Sequence, residues 1–100
     1  MESLIKKIIK EELLEKEIID DFKKTINYLE SDTIRKLFLS PWENDEDREK
    51  LGAMVSINSD QILRKKYPNF KTQFDIEDET LYYYLVDENG NDVFKYTRYT

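Results

Sequence analysis

The chain reads as a single α+β domain over residues 1–100: a long N-terminal amphipathic helix, three shorter helices, then a small three-stranded antiparallel sheet ending in a hairpin that turns at Asn89-Gly90. Three observations predict this. Apolar residues recur at helical spacing from Leu4 to Leu29 with no Gly or Pro between them. They recur at every second position from Phe70 to Ile76. Asn89-Gly90 then separates two runs rich in Tyr, Val and Phe.

The first helix rests on Ile5, Ile8, Ile9, Ile19, Phe22, Ile26 and Leu29, the last four of which keep strict helical spacing. With Leu4 and Ile18 they occupy one broad face, whereas Leu14 projects to the opposite side and Leu13 sits at its margin. Either one rod carries a second contact at Leu13 and Leu14, or two helices bend around Glu11 to Lys16. The bend has no breaker residue to support it, so one rod is expected. About 26 residues at 1.5 Å each give roughly 39 Å, more than the diameter of about 34 Å of a compact domain this size. Either the helix lies along an elongated monomer, or it packs against a second copy through Leu13 and Leu14.

Beyond Leu29 the run Glu-Ser-Asp-Thr breaks the pattern, and Ser31 or Asp32 is expected to cap a short helix carrying Ile34, Leu37 and Phe38. That helix should end at Ser40-Pro41, since a proline pushes its predecessor out of helical geometry. Ser40-Pro-Trp-Glu43 then reads as a new start, with Ser40 as N-cap, Pro41 at the first helical position and Glu43 closing a capping box. The stripe Leu51, Met54, Val55 carries this helix to about Ile57; a rival reading stops it at Gly52 and makes Ala53 to Ile57 a strand. Asn58 or Ser59 caps a further helix that Pro68 closes.

From Phe70 the period changes to two, with Phe70, Thr72, Phe74 and Ile76 alternating with Lys71, Gln73 and Asp75. Leu81 to Val86 and Val93 to Tyr99 are the other strands. A two-residue turn at Asn89-Gly90 sets Leu85 opposite Phe94, Tyr83 opposite Tyr96, Tyr84 opposite Lys95 and Tyr82 opposite Thr97. It also sets Asp87 against Asp92, which is unfavourable, so a looser loop stays open as the alternative.

With 39% hydrophobic and 13% aromatic residues the chain can fill one core despite being 38% charged. No apolar run reaches the length of a membrane span, and the first residues lack the apolar core of a signal peptide, so a cytoplasmic location is expected. Cys and His are both absent, which removes thiolate nucleophiles, disulfides, imidazole bases and the usual zinc motifs. Gly52 and Gly90 are the only glycines, so no Gly-rich loop can cradle phosphate. The strands carry no Glu-X-Lys of nuclease type, and Asp87 to Asp92 lacks the spacing of a calcium loop. A non-enzymatic protein with no cofactor and no metal is expected.

The net charge of −6 is unevenly spread. Residues 61–72 hold four cations and no acid, while residues 73–100 hold seven acids and two cations. The basic island, Arg64, Lys65, Lys66, Tyr67 and Lys71, interleaves cations with aromatics as nucleic-acid binding requires. Over residues 43–99 the order of elements is similar to a winged helix-turn-helix, which implies a DNA-binding regulator. The overall charge opposes non-specific nucleic-acid affinity and ranks direct DNA binding second; lysines at a helix C-terminus also simply complement its dipole.

Acidic clusters occur at Glu43 to Glu49, at Asp75 to Glu79, and at Asp87, Glu88 and Asp92. Such clusters are ordinarily solvated turns. On one surface, however, they could imitate duplex phosphates and occupy a basic groove; in style this composition resembles small phage inhibitors of host defence or transcription. The expected partner is therefore a basic nucleic-acid-binding protein, engaged by Glu43, Asp45, Glu46, Asp47, Asp75, Glu77, Asp78 and Glu79. Tyr82, Tyr84 and Tyr99 on the outer sheet face offer a second contact surface.

Overall fold

The computed structural model describes residues 2–98, with side chains from residue 15 onward. Two helices, α1 (Glu2–Leu37) and α2 (Asp45–Arg64), precede the strands β1 (Lys71–Glu77), β2 (Thr80–Val86) and β3 (Asp92–Arg98). The strands form an antiparallel meander in the order β1-β2-β3. Both helices pack on one face of it. No helix among the described residues is long and apolar enough to cross a membrane.

The first helix is one rod, as expected, but it is longer than its apolar stripe. At 36 residues and 1.5 Å per residue it spans about 54 Å, and the molecule measures 54 × 26 × 18 Å. Its radius of gyration is 15.3 Å, above the roughly 13 Å of a compact chain this size. The elongated arrangement is therefore present in a single copy. The side chains of Leu13 and Leu14, the expected dimer contact, lie outside the described residues.

Two helices stand where four were expected. The Glu30–Thr33 stretch does not break α1, because its polar side chains bond outside the local backbone. Glu30 and Thr33 are buried against the fold, and the Asp32 carboxylate takes the Arg35 guanidinium at 3.1 Å and the Lys36 ammonium at 2.9 Å. The helix ends instead at Phe38, which turns left-handed (φ 56°) while the Leu39 N–H returns to the Ile34 carbonyl at 3.2 Å. That is a Schellman closure in which a bulky residue sits where Gly is usual. Leu39 is buried by it and Phe38 is 91% exposed.

The second helix starts four residues later than the Ser40 capping box predicts. Residues 40–44 form a turn, with the N–H groups of Glu43 and Asn44 both reaching the Ser40 carbonyl. Asn44 is the true N-cap, its side chain accepting from the N–H groups of Glu46 and Asp47. The helix then runs unbroken through Asn58-Ser59, so neither the strand at Ala53 to Ile57 nor the second start there is formed. Ser59 is fully buried and its hydroxyl meets that of Thr72 at 3.3 Å, while Asp60 accepts the Thr72 N–H at 3.0 Å. Side chains that could cap a helix bond across to β1 instead.

Gly52 lets α2 approach the sheet. A Cβ there would stand 2.6 Å from the Phe74 ring and 2.8 Å from Leu81. The core beneath joins Ile18, Phe22, Ile26 and Leu29 of α1 with Leu51, Val55 and Leu63 of α2 and Leu81, Tyr83 and Leu85 of β2. Phe22 meets Phe94 edge-on at 6.2 Å.

All four predicted cross-strand pairs between β2 and β3 are present. The turn that sets them is different. Asp87 pairs with Asn91 around a three-residue loop in which the Gly90 N–H donates to the Asp87 carbonyl and Gly90 takes φ 83°. A bulge opposite Leu85 and Val86 then restores the register of a two-residue turn. The loop avoids the Asp87–Asp92 clash, and the Asp87 carboxylate accepts the N–H groups of Asn89 and Asn91.

A polar knot ties α1 to the sheet. Glu30 is 1% exposed and receives the Arg98 guanidinium at 2.8 Å; the Tyr83 hydroxyl stands near the same carboxyl group. Tyr96 donates to Asn27 at 2.9 Å, and Arg98 lies over the Tyr96 ring. Burial pushes the Glu30 pKa up to about 7, against the lowering effects of Arg98 and Tyr83.

Two outcomes are expected. Gly52→Ala gains about 1 kcal/mol of helix propensity but overpacks a fully buried contact at about 1–3 kcal/mol, so the urea midpoint should fall with its slope unchanged. Glu30 binds its proton more tightly folded than unfolded, so its contribution to stability is full below pH 4.5 and is lost as pH rises through about 7. The stability of Glu30→Gln relative to the native chain should therefore rise by about 2 kcal/mol between pH 5 and pH 8, read by urea unfolding at both values.

Candidate acidic interaction site

Two acidic segments thirty residues apart in sequence meet at one end of the fold. The first is the start of α2. Arg48 is buried there, donating to the Pro41 carbonyl at 3.0 Å and pairing with Asp45, and Asp47 accepts the Ser40 N–H at 2.8 Å. These bonds pin the 40–44 turn under the helix, bury Pro41 and leave Trp42 58% exposed. Asp45, Glu46 and Asp47 occupy the first turn, where negative charge suits the helix dipole.

The second segment is the β1–β2 hairpin. Glu77 pairs with Thr80, so only Asp78 and Glu79 form the turn, and both are left-handed, at φ 48° and 65°. Two positive φ values make this the primed turn that matches sheet twist. Asp and Glu adopt it at a cost of roughly 1–2 kcal/mol each. The strain holds two carboxylates at the hairpin tip, facing the start of α2.

Between the segments lie two adjoining clefts that share Asp45 and Glu79. One, of roughly 520 Å³, is lined by Asp45, Glu49, Phe74, Asp75, Ile76, Asp78 and Glu79. The other, of roughly 580 Å³, is lined by Trp42, Glu43, Asn44, Asp45, Glu46, Arg48 and Glu79. Seven carboxylates face this region and its one cation, Arg48, is already paired. Among the described residues no three such groups stand close enough to hold a metal ion. The first cleft combines acids with the apolar Phe74 and Ile76, suited to the aliphatic stem and charged head of Lys or Arg, and the second is acidic with Trp42 beside it.

Of the eight acids expected to engage a partner, Glu43, Asp45, Glu46, Asp75, Asp78 and Glu79 line these clefts. Asp47 is turned to Ser40, and Glu77 is exposed but lines neither cleft. Sequence reasoning left Glu49 out, although it follows Asp45 by one helical turn. It placed Phe74 and Ile76 only in the period-two strand, whereas both are partly buried and line the first cleft. The third cluster is at the opposite end of the sheet, where Asp87 serves its own loop.

Half of the basic island's cations are spent on the fold. Arg64 pairs with Asp60 at 3.0 Å. Lys66 reaches Glu17 at 3.0 Å and Asp21 at 3.1 Å on α1, and the Tyr67 hydroxyl donates to Asp21 at 2.6 Å. The Tyr67 bond, then Lys66, holds the Asp21 carboxyl below its usual range, and the two acids raise Lys66 further into its charged form. Lys65 and Lys71 remain exposed. With α2 continuous through Asn58-Ser59, the turn that the winged-helix order requires is not formed. On the outer sheet face Lys95 lies over Tyr82 at 4.0 Å and reaches Tyr84 at 5.8 Å; Tyr99 lies outside the described residues.

Glu79→Gly removes one left-handed side chain and should stabilise the fold by about 1 kcal/mol, raising Tm by roughly 4–8 °C. Glu79→Gln, which removes the charge and keeps the strain, should leave most of that gain unrealised. Comparison of the chain with protein-family models, with curated proteins and with solved structures finds no match.

Proposed function

We propose that the chain is a non-enzymatic protein-binding protein that uses its acidic cleft region to cover a basic surface on its target. In its most specific form it is an inhibitor carried by a phage or mobile element that blocks the nucleic-acid-binding surface of a host protein. The observation that carries this reading is the convergence of two distant acidic segments on adjoining clefts with Phe74 and Ile76 below and Trp42 alongside. Carboxylates alone would give a diffuse, salt-sensitive attraction. An exposed Trp beside them supplies the kind of aromatic anchor on which interfaces concentrate their affinity, and the surrounding charge supplies steering and partner choice.

The test is an affinity capture from lysate of the native host, with and without nuclease, using the native chain and a variant carrying Glu43→Gln, Glu46→Gln, Asp78→Asn and Glu79→Gln. These four acids are exposed, so the variant should keep its fold, as checked by circular dichroism. A stoichiometric protein that survives nuclease, elutes with salt and is bound at least tenfold more weakly by the variant is the expected result. Equal retention by both chains would overturn the reading, and so would recovery that depends on nucleic acid.

A further inference from the structure

We infer that the free edge of β1 beside the acidic cleft takes an extended, cationic peptide segment as a fourth strand. This rests on the protein-binding reading above and specifies the form of the bound segment. The two-residue turn after Glu77 makes Glu77–Thr80 a hydrogen-bonded pair. Bonding then alternates along the ladder, so Asp75, Gln73 and Lys71 bond to β2, and the backbone groups of Ile76, Phe74 and Thr72 point away from it.

Two hydrogen bonds agree with this assignment. The Thr72 N–H donates to Asp60 on α2 at 3.0 Å, and the Ile76 N–H donates to the neighbouring Asp75 carboxylate at 2.8 Å. Side chains thus occupy the outward N–H groups on either side of Phe74. Phe74 carries the remaining one, and among the described residues nothing bonds to it. The Asp75 bond is local and exposed, so it can yield to an incoming carbonyl.

The cleft of roughly 520 Å³ borders this same stretch. A strand paired along Phe74 would send alternate side chains into it, where Phe74 and Ile76 cover an aliphatic stem and Asp45, Glu49, Asp75, Asp78 and Glu79 meet a cationic head. Exposed edges invite indiscriminate pairing unless charge guards them. Here the guard is acidic, so it repels a second copy of this chain, whose net charge is −6, and admits lysine- or arginine-bearing strands. The opposite edge, β3, carries Lys95 and would not select for cations.

The experiment titrates the 15N-labelled chain, at low salt, with a capped heptapeptide of alternating Lys and Val. In parallel it is titrated with the same peptide N-methylated at every amide, so that neither edge can pair, and with an alternating Glu and Val peptide. Saturable shifts centred on the Phe74 and Ile76 amides are expected from the first peptide. Slowed exchange of the Phe74 N–H should accompany them, with binding at least tenfold weaker after N-methylation and none from the acidic peptide. Equal binding of the N-methylated peptide, or shifts that bypass Phe74, would overturn strand addition. If that peptide nonetheless binds the four-acid variant more weakly than the native chain, the acidic protein-binding reading survives without it. If neither N-methylation nor the four substitutions changes affinity, both fail.

Discussion

Everything at the acidic end of this molecule depends on how closely α2 lies on the first hairpin. The position without a side chain, Gly52, sits where the Phe74 ring and Leu81 press against the helix. A helix normally stands off a sheet by the depth of its side chains. At Gly52 that spacer is missing, and the start of α2 is drawn alongside β1. Asp45 and Glu49 therefore face Asp75, Asp78 and Glu79 across a cleft and not across open solvent. Burial of Leu51 and Val55 on either side of the contact offsets the propensity that glycine loses within a helix.

The opposite edge of the sheet is fastened by polar groups. Glu30 and Arg98 join α1 to β3 in a setting where the hydrophobic contacts of Phe22, Phe94 and Tyr96 are close by. Burying a carboxylate is costly unless its bonds are met, and the raised pKa of Glu30 shows that the cost is only partly offset. What the pair contributes is alignment, since a rod of 36 residues packed by apolar contacts alone could slide by a turn along the sheet. Lys66 and Tyr67 reinforce the same alignment from the far side through Glu17 and Asp21.

Charge is therefore divided by use. Near the end of α2, Lys66 pairs with Glu17 and Asp21 of α1 and Arg64 with Asp60 of its own helix, while the acids at its start line the clefts. A net charge of −6 becomes a directed acidic surface through this division. Phe74 and Ile76 place apolar surface beside these carboxylates in the first cleft.

The α+β class, the first rod, all three strands and the β2–β3 register were legible in the sequence, because each is fixed by a local period or by the two-fold alternation of a strand. The helix boundaries were not. Ser31, Asp32, Ser40, Asn58 and Ser59 all carry capping chemistry, and a sequence cannot say whether such a side chain bonds its own backbone or a neighbour brought near by folding. Ser59 found Thr72. The acidic residues were equally visible, but only the packing of α2 on β1 decided which of them share a cleft, which serve a turn, and that Phe74 and Ile76 lie beneath them. Local patterning by itself determined what elements this chain forms; side-chain bonds between distant segments, whose energies depend on proximity that folding alone creates, decided where those elements end and what they enclose.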